Sequence, residues 1–230
     1  MENINKWRYF GFSFVMIAPI QYCIFGLIAM YFYSGGTLYN SSQPGFTFWG
    51  NYFSDLGRII ALSGESNLIS FIIFTPSALL FSVSFIPFII LMPNFFNRHN
   101  NQYNIAKLGS LAGIFAVIFL IITILTPWDI FGNIHLLFAT LFNFAGSFIA
   151  LFYFIAILKE ENFPNRYGVA YLILLILAII YIILTFSTYH LPINEKVIIQ
   201  ASYQKISQYS FLICYFLQGY KGFRLSLGIN

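Results

Sequence analysis

The sequence predicts an all-α protein, a polytopic membrane bundle of six transmembrane helices with a short amphipathic helix in the first outer loop. Hydrophobic residues make up 59% of the 230 positions, whereas charged residues make up only 8%. The apolar residues fall into six runs, each long enough to cross a hydrocarbon core of about 30 Å. Helices are expected in these runs because lipid cannot satisfy open backbone donors and acceptors.

The six predicted spans cover residues 11–33, 67–91, 105–126, 134–158, 169–187 and 197–218. The first is too long for the apolar region of a signal peptide, so we expect it to be retained. The spans leave no room for a separate soluble domain. Residues 1–230 are therefore predicted to form one domain.

The basic residues predict the orientation of the bundle. Eight lie at the ends or in the loops of one side, and two lie in the loops of the other, with Lys205 inside the sixth span. Cytoplasmic loops carry an excess of Lys and Arg, so both termini are predicted to be cytoplasmic. Topology accounts for these charges, and no nucleic-acid partner is expected. The eight are Lys6, Arg8, Arg98, Lys107, Lys159, Arg166, Lys221 and Arg224, and the two are Arg58 and Lys196.

The first outer connection, residues 34–66, is the longest and contains the stretch NYFSDLGR. Over residues 49–62, apolar positions recur at helical spacing, and Asn51, Asp55 and Arg58 fall on the opposite face. This pattern predicts an amphipathic helix at the membrane surface. Its polar stripe either faces water or covers a polar cavity between the spans. A glycosylation sequon begins at Asn40 and matters only if the host glycosylates this side.

The fourth span opens with Asp129 and, six residues later, His135. Burying such side chains unpaired in lipid is costly, so this face is expected to look into the protein. Near a helix N-terminus His135 is expected to be neutral, and a neutral imidazole can act as a base, accept a hydrogen bond or ligate a metal. A zinc site from His135, His190 and an aspartate has no support from spacing, so no metal or cofactor is predicted.

The sixth span carries a polar stripe at Gln200, Gln204 and Gln208, with Lys205 beside it. Ionisable residues inside membrane spans are candidates for functional sites. Lys205 either extends toward the outer surface or pairs with Asp55 or Asp129.

The third span presents a small-residue face at Gly109 and Gly113. Such a face packs helices closely, either within the chain or between copies of it. Several catalytic signatures are absent from the sequence: HExxH, a Cys–His array, the GxSxG elbow and a phosphate-binding glycine loop.

Short motifs in the outer half resemble those of the DRAM-type six-span membrane family, which includes damage-regulated autophagy modulators, proteins that remodel GPI-anchor lipids and related uncharacterised prokaryotic domains. The resemblance implies six helices, a polar pocket on the lumenal or extracellular side and, for some members, a role with lipids. It carries no catalytic residue set. The matching positions are Ser54, Asp55, Gly57, Glu65, Asn67, Asp129 and His135.

These observations favour a membrane protein that binds the headgroup of a lipid or amphiphile in an outer polar pocket. Chemical modification of that headgroup is an open alternative. Any catalysis would use His135 as the base, oriented by an aspartate such as Asp129. A transporter or channel is disfavoured because the inner halves of the spans are almost entirely apolar. A non-catalytic assembly subunit, associating through Gly109 and Gly113, is the third alternative. The predicted ligand-binding residues are Asp55, Arg58, Glu65, Asn67, His190, Gln204, Lys205 and Gln208.

Overall fold

The computed structural model describes residues 6–160 and 163–228, and it is helical in character. Among these residues there is no β-strand, and only two isolated bridges occur, both in the first outer loop. The helices are α1 Lys6–Tyr31, α2 Leu68–Val83, α3 Phe85–Leu91, α4 Asn101–Leu125, α5 Trp128–Phe131, α6 Asn133–Leu158, α7 Asn165–Ser187 and α8 Ile193–Ser226. Short 3₁₀ helices lie at Phe53–Gly57, Met92–Phe95 and Thr188–His190.

Five helical segments are long and apolar enough to cross a membrane, which confirms the helical membrane character of the chain. Helix α8 is the longest at 34 residues, but its polar and charged side chains lower its mean hydropathy, and it is not among the five. The five segments are Lys6–Tyr31, Leu68–Phe95, Asn101–Leu125, Asn133–Leu158 and Asn165–His190.

The long helices form a closed ring. Helix α1 packs against α2, α2 and α3 together pack against α4, α4 against α6, α6 against α7, and α7 against α8, which returns to α1. Aromatic rings fill the centre, where the Phe85 ring stacks on Phe211 and on Tyr215 at centroid distances of 5.5 and 4.6 Å. The sequence-distant α1 and α8 thus close the bundle.

The small residues of α4 face the inside of this ring. A Cβ added to Gly109 would lie 2.9 Å from Tyr153, and one added to Gly113 would lie 2.5 Å from Ile89. Both contacts are too close for a side chain, so glycine permits the approach of α6 and α3. These two glycines therefore pack against helices of the same chain.

The outer loop differs from the expected amphipathic helix over residues 49–62. Only Phe53–Gly57 is helical, as a 3₁₀ helix, and Arg58 after it is extended. The side-chain amide of Asn51 accepts a hydrogen bond from the Thr47 N–H and holds a turn, an arrangement that competes with a regular helix. The polar stripe does not face water. Asp55 and Arg58 are only 4% and 9% exposed, whereas the apolar Trp49 is 53% exposed.

Candidate functional site

Lys205 lies at the centre of the contact between α8 and the outer loop. The residue is only 1% exposed, and its ammonium donates hydrogen bonds to the backbone carbonyls of Asn51 and Ala201. Three phenylalanine rings surround the ammonium at 5.4 to 5.6 Å from their centroids, a distance typical of cation–π contacts. These rings belong to Phe46, Phe48 and Phe53. Lys205 therefore holds the loop on α8, and its ammonium is closed off from ligands in this conformation.

Asp55 is buried beside this contact and organises the 3₁₀ helix. Its Oδ2 accepts hydrogen bonds from the Asn51 side-chain amide at 3.2 Å and from the Tyr52 backbone N–H at 2.8 Å. Burial raises the pKa of the Asp55 carboxyl, and these two donors together with the nearby Arg58 and Lys205 charges oppose the rise. Both donors reach Oδ2, so Asp55 has a structural role in the loop.

Asn51 is the residue on which this part of the loop depends. It is fully buried, and its amide nitrogen donates to the Gly36 carbonyl at 2.9 Å as well as to Asp55. Its side-chain oxygen accepts from Thr47, and its backbone carbonyl accepts from Lys205. Sequence reasoning placed Asn51 on the polar face but did not include it among the site residues. Its position four residues before Asp55 was the available signal.

The glutamine stripe of α8 binds the same loop. Gln200 accepts a hydrogen bond from the Tyr52 hydroxyl at 2.7 Å and donates to the Thr188 hydroxyl at 2.8 Å. One turn further along, Gln204 accepts the backbone N–H of Phe53 at 2.9 Å. These side chains satisfy the Tyr52 hydroxyl and the Phe53 N–H, which have no other hydrogen-bond partner among the described residues.

Gln208, the next residue of the stripe, joins α8 to α1. Its amide donates to the Tyr22 hydroxyl at 2.6 Å, and the Tyr22 ring packs beside Phe74 and Phe81. The stripe that was predicted to bind a ligand thus also connects α8 to the loop and to α1.

Asn67 fixes the end of the outer loop just before α2. Its amide nitrogen donates to the Arg58 carbonyl at 2.9 Å, and its side-chain oxygen accepts the Ser34 backbone N–H at 3.3 Å. Its own N–H donates to the Ile59 carbonyl at 2.8 Å. Asn67 thereby holds the extended residues 58–60 against the start of α2.

Asp129, in the short helix α5, reaches across to this extended segment. Its Oδ2 accepts the backbone N–H groups of Ile59 and Ile60 at 3.0 and 2.9 Å. Its Oδ1 is buried and has no hydrogen-bond partner among the described residues. A buried carboxylate oxygen without a partner is costly, so this atom requires an explanation.

His135 lies one turn into α6 and is held by backbone carbonyls. Its Nδ1 is 2.8 Å from the Thr126 carbonyl oxygen and 3.1 Å from that of Thr123. Because carbonyls only accept, Nδ1 must carry a hydrogen, and in the neutral ring Nε2 is then the acceptor. The orienting group is therefore a pair of carbonyls, whereas the sequence had suggested an aspartate. The Trp128 ring covers one edge of the imidazole at a centroid distance of 6.1 Å.

Arg58 connects the two halves of the outer network. Its Nε donates to the Ile60 carbonyl at 3.0 Å, the one hydrogen bond found for this guanidinium within residues 6–160 and 163–228. Arg58 lies within electrostatic range of Asp55 on one side and of His135 on the other. The Tyr33 hydroxyl is within range of Asp55, Arg58 and Asp129.

The predicted residues thus separate into three groups. Arg58 and Asp129 bind the same loop segment, and His135 lies within electrostatic range of Arg58. These three residues retain hydrogen-bonding atoms without a described partner, and we call them the outer triad. Glu65 and His190 are exposed. A further five have partners within the protein: Asp55, Asn67, Gln204, Lys205 and Gln208.

No family model matches this chain, and neither a curated protein nor a solved structure matches it.

Proposed function

We propose that the outer triad binds the polar headgroup of a membrane lipid or similar amphiphile. The observation that carries the proposal is the buried, unpartnered Oδ1 of Asp129, on a cluster that also holds Arg58 and an acceptor nitrogen of His135. An external group at this place would satisfy atoms that the protein leaves unsatisfied. The Arg58 guanidinium supplies donors suited to an anionic group such as a phosphate.

An amphiphile is favoured over a water-soluble ligand by the surroundings of the outer triad. Apolar side chains at the same level point outward, with Ile130, Phe131 and Ile134 exposed by 59%, 43% and 49%. Polar groups next to an exposed apolar surface are typical of the boundary between headgroups and acyl chains. A ligand that reaches the outer triad there would keep its apolar part in the bilayer.

The proposal includes six membrane crossings, with α8 as the sixth and both ends of the chain on the cytoplasmic side. Support comes from the place of α8 in the helix ring, between α7 and α1, and from the asymmetry of the basic residues. A cysteine introduced at Ser41 should react with an impermeant maleimide added to the outer side only. Reaction from the cytoplasmic side would overturn this topology.

Relationship to the DRAM-type family is likewise a proposal. It is supported by two matched positions, Asn67 and Asp129, because both hold the same extended segment in place.

A catalytic role on the bound headgroup is the second candidate. It is favoured by the anchoring of His135, because an Nδ1–H fixed by two carbonyls leaves Nε2 oriented as a general base. Incubation with candidate phospholipids, followed by mass spectrometry, would show a product that forms with the unaltered protein and is lost in His135→Gln.

Headgroup binding is tested with the purified protein in nanodiscs, titrated with short-chain phospholipids by calorimetry. We expect Arg58→Met to weaken binding by about tenfold or more, because it removes the cation at the outer triad. Glu65→Gln is the matched control, since Glu65 is exposed in the same loop and should leave affinity unchanged. Equal affinities for the unaltered protein and Arg58→Met would overturn the proposal.

The transporter alternative has less support. The central cavity among Phe85, Gly146, Phe211 and Tyr215 is apolar and about 20 Å³, which is room for about one water molecule. Aromatic rings therefore occupy the place where a polar path would have to continue.

A further inference from the structure

We propose that the headgroup bound at the outer triad carries an ammonium with at least one N–H next to its phosphate, as phosphoethanolamine does. This inference rests on the proposed function and names the ligand's chemical class. Its basis is the unpartnered carboxylate oxygen of Asp129, together with the Arg58 cation on the loop segment that Asp129 binds.

The two acceptors are Asp129 Oδ1 and His135 Nε2. The first has no hydrogen-bond partner among the described residues, and the second is unprotonated in the neutral ring because Nδ1–H donates to Thr126 and Thr123. Neither atom can donate. Each atom therefore accepts a hydrogen only from a donor outside the described protein groups.

The charges of the outer triad indicate which kind of donor group the ligand carries. The outer triad holds a carboxylate at Asp129 and a guanidinium at Arg58, and the Asp129 carboxylate is held in place by two backbone N–H groups. A zwitterion matches this arrangement when its ammonium meets Asp129 and its phosphate meets Arg58. A simple anion such as a phosphoglycerol headgroup matches only the second charge.

A quaternary ammonium is disfavoured for two reasons. It has no N–H to offer to Asp129 or His135, and proteins usually recognise it with an aromatic cage. The aromatic cage nearby, formed by Phe46, Phe48 and Phe53, is already filled by the ammonium of Lys205. The choline headgroup is thus the natural negative control.

The experiment is a methylation series in nanodiscs made of a phosphoglycerol lipid. The probes are dihexanoyl phosphatidylethanolamine and its N-monomethyl, N,N-dimethyl and N,N,N-trimethyl derivatives, which carry three, two, one and no N–H groups. Because Asp129 Oδ1 requires one N–H donor, affinity should hold through the dimethyl compound and fall by about tenfold at the trimethyl step.

Asp129→Asn supplies the second measurement. It removes the charge but keeps the size of the side chain, so it should abolish the discrimination along the series while Arg58-dependent phosphate binding survives. If all four probes bind equally and Arg58→Met still weakens them, the ammonium inference fails and headgroup binding stands. If none of the four binds, both fail. Discrimination that disappears on adding EDTA would overturn the inference in favour of a bridging divalent cation.

Discussion

The Lys205 ammonium donates a hydrogen bond to the backbone carbonyl of Asn51, a residue 154 positions earlier in the chain. This contact crosses from α8 to the outer loop, and the cage of Phe46, Phe48 and Phe53 encloses it. The same loop carries Arg58 and, through its backbone, holds Asp129. The position of the outer triad therefore depends on an interaction that the triad itself does not make.

Replacing Lys205 should loosen the outer loop. Lys205→Met keeps the length of the side chain but leaves the Asn51 carbonyl without its donor, at a cost of about 1–3 kcal/mol. We expect faster hydrogen exchange in residues 46–57 and a lower thermal midpoint in detergent. Lys196→Met is the control, because Lys196 lies on the same helix and contacts only the surface ring of Tyr189 among the described residues. Equal exchange rates in the loop of the two variants would contradict this role for Lys205.

The buried Asp55 predicts a pH-dependent stability. Its pKa is raised in the folded protein, so the protonated form is the one favoured by folding. The resulting contribution to stability is fully present below the ordinary pKa of about 4 and is lost as pH rises through the raised value. Thermal midpoints in detergent should fall over this window. The charged and titratable groups around Asp55 include Arg58, Lys205 and Tyr33.

Asp55→Asn provides the comparison for this pH dependence. The amide keeps an oxygen acceptor for Asn51 and Tyr52 and cannot ionise, so the decline over the same window should flatten. A variant whose profile parallels that of the unaltered protein would show that another group is responsible.

The glutamine stripe and Asn143 make a second comparison. Gln200→Leu leaves the Tyr52 hydroxyl without its partner, while the Thr188 hydroxyl keeps its bond to the Leu184 carbonyl, and it should cost about 1–3 kcal/mol. Asn143 donates at 2.8 Å to Ala139 of its own helix, so Asn143→Leu should cost less than about 1 kcal/mol. Thermal unfolding in one detergent measures both stability changes. A larger loss of stability for Asn143→Leu than for Gln200→Leu would contradict these hydrogen-bond roles.

Two glycines test the packing of the ring. Gly113→Ala places a methyl group 2.5 Å from Ile89 and should destabilise by about 1–3 kcal/mol. Gly146→Ala adds a methyl group with nothing within 4 Å, so it should be neutral or stabilise by up to about 1 kcal/mol through helix propensity. The thermal midpoints of the two variants test this packing. A lower midpoint for Gly146→Ala than for Gly113→Ala would be inconsistent with it.

The helical membrane character was predictable because long apolar runs leave the backbone few other solutions. The first outer loop was less predictable. Its apolar positions had helical spacing, but Asn51 and Asp55 bind nearby backbone groups and limit the helix to Phe53–Gly57. Periodicity records which side chains are apolar, and it does not show which side chains compete for backbone hydrogen bonds.

At the candidate site, the sequence identified the polar side chains that need hydrogen-bond partners, but it did not identify those partners. Asp129 and His135 stood out because polar residues at a span entrance need an explanation. Their actual partners are backbone atoms of Ile59, Ile60 and Thr126, and backbone atoms carry no signature in a sequence. For the same reason, Lys205 was expected either to extend toward the outer surface or to pair with a carboxylate, whereas it donates to carbonyls.

The polarity of α8 has a consequence for the biogenesis of the protein. This helix is synthesised after the outer loop and α1, and in the proposed sixth crossing its lysine and glutamines would each oppose entry into the bilayer, with a lysine at a helix centre costing about 2.5–3.5 kcal/mol. Their partners in the outer loop and α1 are already made when α8 emerges from the ribosome. We therefore expect α8 to enter the membrane by docking onto the assembled earlier helices. A chain with a damaged outer loop would then expose a charged, unassembled α8, which gives membrane quality control a feature to recognise.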